Sequence, residues 1–332
     1  MIGVLMKQPI IWVVDPDVVK PALELIPEGI QVRVNRTGRF LTEQELVEGI
    51  WDVDGVIAGV EPYTLRVLAA AERLKIIARR GIGYSEIDLR AATELGIVVT
   101  TTPVPEEITA VAELTVGLIL SLLRKIPAAD QDVKNGAWRR SQFIGVNLHG
   151  RKVGIIGLGR IGRAVATQLS GFGVKLSYYD PYVDPASVAP GLERLELEPL
   201  LATADIVTLH CNLTEEATSF LNYDRLKLMK RGAYLINTAR GKLVNELDLL
   251  RALAEGLLAG AALDVYPEIP PSSDTLRQLV THQSVISLPY IGAFTQESLY
   301  AMDSTAVTNV LKVLRGENPD YIVKVTSSPA RS

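Results

Sequence analysis

Apolar residues in the first third of the chain fall in short runs, separated by amphipathic stretches. Ile10-Ile11-Trp12-Val13-Val14 is a continuous apolar run between Pro9 and Asp15, the pattern of a buried strand. Residues 15–26 follow as a turn and helix. Further strands are predicted at 31–34, 55–58 and 75–78, with helical spacing at 42–49 and 63–73. The helix at 42 opens with Thr42 and Glu45, the Thr-x-x-Glu spacing of a capping box. Strand–helix alternation of this kind predicts a parallel sheet with helices on both faces.

The rhythm breaks at Thr100-Thr101-Thr102-Pro103-Val104-Pro105. Pro105 suits the first position of a helix, and Glu106 and Glu107 offset the positive end of its dipole. This helix is expected to run to about Lys125. Val111, Leu114, Leu118, Ile119, Leu122 and Leu123 cover most of its circumference, so it needs cover from its own core or from a second subunit. The apolar stretch 110–123 contains Glu113 and falls short of the ~20 residues that span a bilayer. From Lys152 the alternation restarts, with strands predicted at 153–156, 174–179, 206–209, 234–236, 261–263 and 285–288. Six strands in this rhythm match a dinucleotide-binding sheet. The first residues are broken by Lys7 and Pro9 with no charged stretch ahead, which argues against a secretory signal, and residues 327–332 are expected to fray.

A length of 332 residues leaves room for two domains. The formal charge of −4 predicts neither a nucleic-acid footprint nor attraction to an anionic membrane. A single cysteine, Cys211, permits no intrachain disulfide and no Cys-rich zinc site, and fits a reducing, cytoplasmic setting. No metal is called for. The histidines are also few: His149, His210 and His282.

The most specific motif is Val153-Gly154-Ile155-Ile156-Gly157-Leu158-Gly159-Arg160-Ile161-Gly162, a strand running into G-x-G-x-x-G. Gly157 permits the tight turn, Gly159 the approach of a pyrophosphate, and Gly162 close packing of the following helix. The N–H groups of that helix, starting at Arg160 and Ile161, face the phosphates. A second strand ends at Asp180, 18 residues beyond Gly162, where a carboxylate can accept the ribose hydroxyls of an adenosine. Pro181 and Tyr182 follow, with no Arg or Lys to receive a 2′-phosphate, so NAD is favoured over NADP.

Together with that loop, several other segments resemble the D-isomer-specific 2-hydroxyacid dehydrogenase family, in particular its phosphoglycerate-dehydrogenase-like branch. They are Arg80-Gly81-Ile82-Gly83-Tyr84 through Ile87-Asp88, Ala110-Val111-Ala112-Glu113-Leu114, Leu209-His210 with Leu213-Thr214, Asn237-Thr238-Ala239-Arg240-Gly241, and Leu263-Asp264-Val265-Tyr266. The resemblance covers almost the whole chain. It implies an α/β protein of two doubly wound domains: a Rossmann NAD-binding domain, 105–299, inserted into a flavodoxin-like substrate domain made of 1–104 and 300–332. It places the active site in an interdomain cleft and a homodimer contact in the 105–147 region. It implies that the backbone of Ile82 and Gly83 binds the substrate's acidic group. It gives Arg240 the substrate's carboxylate and carbonyl, and puts His210, Thr238, Ala239, Asp264 and Gly292 beside the cofactor. For Asp264, capping the turn after its strand is an equal alternative.

The family mechanism also calls for a histidine that moves the alcohol proton and a glutamate that holds it. Where the resemblance implies Pro-His-Ile-Gly, this chain has Pro289-Tyr290-Ile291-Gly292. Where it implies the glutamate, 29 residues beyond Arg240, stands Ile269, flanked by Glu268 and Pro270; a one-residue slip would recruit Glu268. Val104 and Ser85-Glu86 also depart from the family pattern. A tyrosine hydroxyl keeps its proton at neutral pH and can donate it to a carbonyl oxygen. Two functions therefore remain: an oxidoreductase using Tyr290 and Arg240, or an NAD(H)-binding regulatory relative without turnover.

Overall fold

The computed structural model describes residues 8–213 and 217–324; the start of the chain, Thr214 and the tail 327–332 lie outside them. The chain divides into two compact units, one formed by residues up to Glu107 together with those from Ala293 on, the other by Ile108–Gly292.

The first unit holds β1 (Ile10–Val13), β2 (Gln31–Val34), β3 (Gly55–Ala58), β4 (Ile76–Arg79) and β5 (Val98–Thr100). They form one parallel sheet in the order β2-β1-β3-β4-β5, the flavodoxin-like arrangement. Strands β1, β3 and β4 are buried at every position, as parallel strands covered on both faces must be. Alternation sorts their side chains. Trp12 and Val14 join a cluster with Leu46, Ile50, Tyr63 and Leu68, while Ile11 and Val13 join Ala306, Val307 and Val310. The last three lie on the helix Gln296–Leu314, so the end of the chain closes one face of the sheet that its beginning builds. The capping box at Thr42 and Glu45 forms as read.

The second unit holds β6 (Lys152–Ile156), β7 (Lys175–Tyr179), β8 (Leu192–Arg194), β9 (Ile206–Leu209), β10 (Ala233–Asn237), β11 (Leu258–Leu263) and β12 (Val285–Ser287). They too are parallel, in the order β12-β11-β10-β9-β6-β7-β8, a Rossmann order with one further strand. The sequence missed β8, a short edge strand with two exposed polar residues out of three and no apolar run to mark it. The long helix Pro105–Arg124 sends Ala112, Val116, Ile119, Leu122 and Leu123 into a cluster with Val153, Ile155, Ile206 and Ile236. Those residues are thus covered by their own unit.

A buried ion cluster stitches the first unit's two chain segments. Arg80, after β4, bonds to Asp15, after β1, and to Asp303 on the C-terminal helix, whose other oxygen accepts the Val19 N–H at 2.8 Å. Burial pushes the Asp303 carboxyl up, and the Arg80 charge opposes that. Removing one partner strands the remaining buried charge. Asp303→Ala should therefore lower the unfolding free energy by about 3–5 kcal/mol, read from the shift in the urea midpoint. A shift equivalent to less than ~1 kcal/mol, the size of a surface pair, would show that the stitch carries little.

Candidate active site

Parallel strands deliver all their carboxyl ends to one edge of a sheet, and the second unit's expected site residues follow those ends. At β6 the chain turns through Gly157, whose φ of +91° suits glycine. A Cβ there would lie 2.5 Å from the Cys211 amide nitrogen and 2.6 Å from the His210 carbonyl carbon. A Cβ on Gly162 would lie 2.2 Å from the Gly157 oxygen. Both glycines are thus required by close backbone approach. Gly159 caps the helix Arg160–Ser170 without a side-chain bond, which suits its first-turn N–H groups, at the exposed Arg160 and half-buried Ile161, to an anion.

Asp180, after β7, accepts the Leu158 N–H on Oδ2 (2.8 Å) and the Tyr182 N–H on Oδ1 (2.9 Å). One carboxylate thus braces the glycine turn, and each oxygen keeps a further lone pair for a ribose hydroxyl. The turn stands where β6 and β9 are neighbours despite their separation in sequence, the switch point at which such sheets bind ligands. These residues fit a dinucleotide.

Strands β10, β11 and β12 lie side by side and are followed by Arg240, Asp264 and Tyr290. The buried Asn237 shapes the first of these loops. Its Oδ1 accepts the Ala239 N–H (3.0 Å) and its Nδ2 donates to the Arg240 carbonyl (2.9 Å). Arg240 is half-buried, with Nη1 donating to the Ala239 carbonyl at 2.7 Å. Thr238 pairs its hydroxyl with that of Thr115 on the long helix, 3.0 Å away. Gly241 is forced, since a Cβ would lie 2.0 Å from the Tyr266 carbonyl carbon.

Asp264 is 1% exposed, and its carboxylate accepts the N–H of Ile291 (2.8 Å) and of Gly292 (2.7 Å), with the Tyr290 amide adding to the local field. Burial pushes it up to about 6, against the downward pull of those three amides. Tyr290 is half-buried at a φ of +60°. That left-handed conformation disfavours a residue with a Cβ by about 1–2 kcal/mol.

The histidines do not fill the gap. His149 and His282 precede β6 and β12 and lie toward the opposite edge of the sheet. The His149 ring rests against Gly173, and His282 Nδ1 accepts the Ser284 N–H (3.2 Å). His210 is at the correct edge, but desolvation drives its pKa down to about 3, and its Nε2 pairs with the Thr208 hydroxyl at 2.9 Å. It therefore stays a neutral ring. Burial lifts the Cys211 thiol to about 11, which leaves it unreactive.

Glu268 has a local task. Its carboxylate accepts the Ser272 hydroxyl (2.6 Å) and the Ser273 N–H (3.0 Å), which hold it below the usual carboxylate range just ahead of the helix Asp274–Thr281. Ile269 is 47% exposed and does not fill a buried slot. In the first unit, the Ile82 N–H donates to Glu107 Oε1 at 3.2 Å, and Gly81 donates to the Thr102 hydroxyl at 2.6 Å. The buried Glu107 thus does more than balance a helix dipole. Gly83 follows on the same half-buried turn. No local pattern marks the Glu107 contact, because its partner lies 25 residues away.

Residues 116–292 match the family model of the D-isomer specific 2-hydroxyacid dehydrogenase, NAD binding domain. The chain is 40% identical over 285 residues to the D-3-phosphoglycerate dehydrogenase of Homo sapiens, covering 85% of this chain and 53% of that protein. It thus spans about half the length of the phosphoglycerate dehydrogenases it matches. It is 38% identical over 314 residues to the glyoxylate reductase of Thermofilum pendens, covering 92% and 91% of the two chains. Among solved structures, a protein of Thermus thermophilus superposes with a TM-score of 0.86 at 37% identity, covering 95% of this chain and all of that one. The chain belongs to the D-isomer-specific 2-hydroxyacid dehydrogenase family and carries its NAD-binding domain.

The depressed His210 pKa has a testable sign. Between pH 3 and 6.5 the unfolded ring binds a proton that the folded ring refuses, so this histidine's contribution to stability is full above pH 6.5 and is lost as pH falls. In the folded protein, imidazole ¹⁵N shifts should show His210 neutral down to about pH 4 while stability declines. A His210 ring that titrates near 6.5 would contradict its desolvation.

Proposed function

We propose that this chain is an NAD-dependent oxidoreductase that interconverts a 2-hydroxy acid, or a phosphonate or phosphate analogue, and the matching 2-keto acid. In this reading Tyr290 takes the place of the family's histidine. The observation that carries it is the delivery of Arg240 and Tyr290 by β10 and β12, on either side of β11, at the edge that also bears the glycine turn. Gly157, Gly159, Gly162 and Asp180 cradle the cofactor. When bound, NAD supplies the hydride acceptor, and its reduced form the donor.

The chain's own groups do the rest. The planar Arg240 guanidinium holds the substrate's carboxylate by paired hydrogen bonds and orients the neighbouring carbonyl. During reduction the Tyr290 hydroxyl gives its proton to the carbonyl oxygen, and the resulting phenolate is reprotonated from water. A cation beside it stabilises that phenolate. Oxidation runs the same transfers in reverse. Since the Ile82 N–H is engaged by Glu107, substrate recognition in this proposal rests on Arg240 and Tyr290. The names of two relatives put glyoxylate and the 2-keto acid of 3-phosphoglycerate first among substrates to try.

NADH oxidation against a panel of 2-keto acids, including phosphonate and phosphate analogues, tests this reading. At least one member should turn over. Tyr290→Phe should lower kcat by about 10²–10⁴-fold with NADH affinity unchanged. Full activity in Tyr290→Phe would remove Tyr290 as the proton donor. Tight NADH binding with no turnover across the panel would instead make the chain a binding protein.

A homodimer belongs to the same reading. After the long helix, Ile126, Val133, Trp138 and Ile144 are all at least half exposed, Trp138 at 76% and Ile144 at 75%. Four such exposed apolar side chains within one 19-residue segment are the motive for an apolar partner surface there. Light scattering should give twice the monomer mass for the protein and the monomer mass for Trp138→Asp. A monomeric parent chain would end the proposal.

A further inference from the structure

We propose that Thr115 is a positioning residue. From the long helix its hydroxyl accepts the Thr238 O–H, and so fixes the start of the loop that carries Arg240. This rests on the reading of Arg240 as the group that holds the substrate's carboxylate.

The direction of the bond follows from counting protons. A threonine hydroxyl has one proton to donate and lone pairs with which to accept. Thr115 gives its proton to the Val111 carbonyl, four residues back on its own helix, at 2.8 Å. In its 3.0 Å contact with the Thr238 hydroxyl, Thr238 is therefore the donor. Thr115 is fully buried and Thr238 is 7% exposed, so the pair is shielded from water.

The bond supplies what the loop's own contacts lack. Asn237 bonds to the Ala239 N–H and the Arg240 carbonyl, which sets the loop's shape but not its direction. Arg240 Nη1 turns back on the Ala239 carbonyl. Gly241 meets the Tyr266 backbone and holds the far end. At the near end Thr238 is tied to a different element, 123 residues earlier in the chain. That element is firmly placed, since its Val116, Ile119, Leu122 and Leu123 cluster with Ile155 of β6 and Ile236 of β10.

The same turn of the helix borders the other proposed chemical group. A Cβ on Gly292, two residues past Tyr290, would sit 3.4 Å from a Val111 methyl. Val111 thus orders Thr115 through its carbonyl and backs the Tyr290 turn through its side chain. Residues 111–115 set the two loops relative to each other.

The test uses the full chain. Thr115→Val keeps the shape of the side chain and removes the acceptor, whereas Thr115→Ser keeps the acceptor. Thr115→Val should raise the KM for the keto acid about tenfold or more and leave the NADH Kd within threefold, because the glycine turn and Asp180 are untouched. Thr115→Ser should return KM to within threefold of the parent. In an Arg240→Ala background Thr115→Val should cause no further loss. An unchanged KM in Thr115→Val, no rescue by serine, or a full additional loss in that background would overturn the proposal. If Thr115→Val does not fold, its combination with Thr238→Val leaves no buried hydroxyl unpaired, and the same rise in KM is expected of it. Amide exchange needs no substrate. Protection of Ala239 should fall in Thr115→Val while that of Ile155 holds. Ala239 protection equal to the parent's would overturn the anchor even where a keto acid turns over. Lost protection in a protein that reduces no keto acid would fault the functional reading alone.

Discussion

Every strand pairs in parallel with its neighbours, and this one constraint fixes where chemistry can occur. Parallel pairing sends each chain segment back across a face of the sheet, so all carboxyl ends emerge on one edge. On the second unit that edge collects the glycine turn after β6, Asp180 after β7, His210 after β9, Arg240 after β10, Asp264 after β11 and Tyr290 after β12. Gly157 and Tyr290, 133 positions apart, thus come to the same edge of one sheet. The same constraint sets His149 and His282 apart, because each precedes its strand.

Buried carboxylates then convert this edge, and its counterpart in the first unit, into fixed geometry. Asp303 accepts the Val19 N–H and pairs with Arg80, Glu107 accepts the Ile82 N–H, and Asp264 accepts two amides of one turn. In each case an anion stripped of water recovers its solvation from backbone N–H groups or a guanidinium, and the loop that supplies them loses its freedom. The balance differs between sites. Asp303 has a cation against it, whereas Asp264 has amide dipoles alone and keeps a raised pKa.

What the sequence shows and what it hides follow from the range of the interactions. The glycine turn was legible from its spacing: a Cβ on Gly162 is excluded by backbone inside the motif, while the backbone that excludes one on Gly157, at His210 and Cys211, lies outside it. Strand β8 was not, because an edge strand needs no apolar run. The C-terminal helix Gln296–Leu314 was passed over because its pattern has a purpose against β1, β3 and β4, more than 200 residues earlier. Glu268 illustrates the limit for chemistry. Its position beside the expected glutamate suggested recruitment, yet its carboxylate is spent on Ser272 and Ser273.

In the proposed mechanism, a tyrosine in place of the family's histidine changes the electrostatics that the site requires. A histidine that accepts a proton becomes a cation, and an acidic partner must hold it in that form. A tyrosine begins neutral with its proton in place and becomes an anion on giving it up, so it needs a nearby cation. In the proposed mechanism Arg240 is that cation. Arg240 emerges two strands away on the same edge, Glu268 is committed elsewhere, and the position expected to hold the acid is an exposed Ile269. Loss of the acid therefore need not mean that a cavity was refilled with an apolar side chain, since Ile269 fills none. In the proposed mechanism its absence spares the phenolate a neighbouring negative charge. Asp264, the carboxylate after β11, is met by the Ile291 and Gly292 N–H groups, which offset part of the cost of its burial.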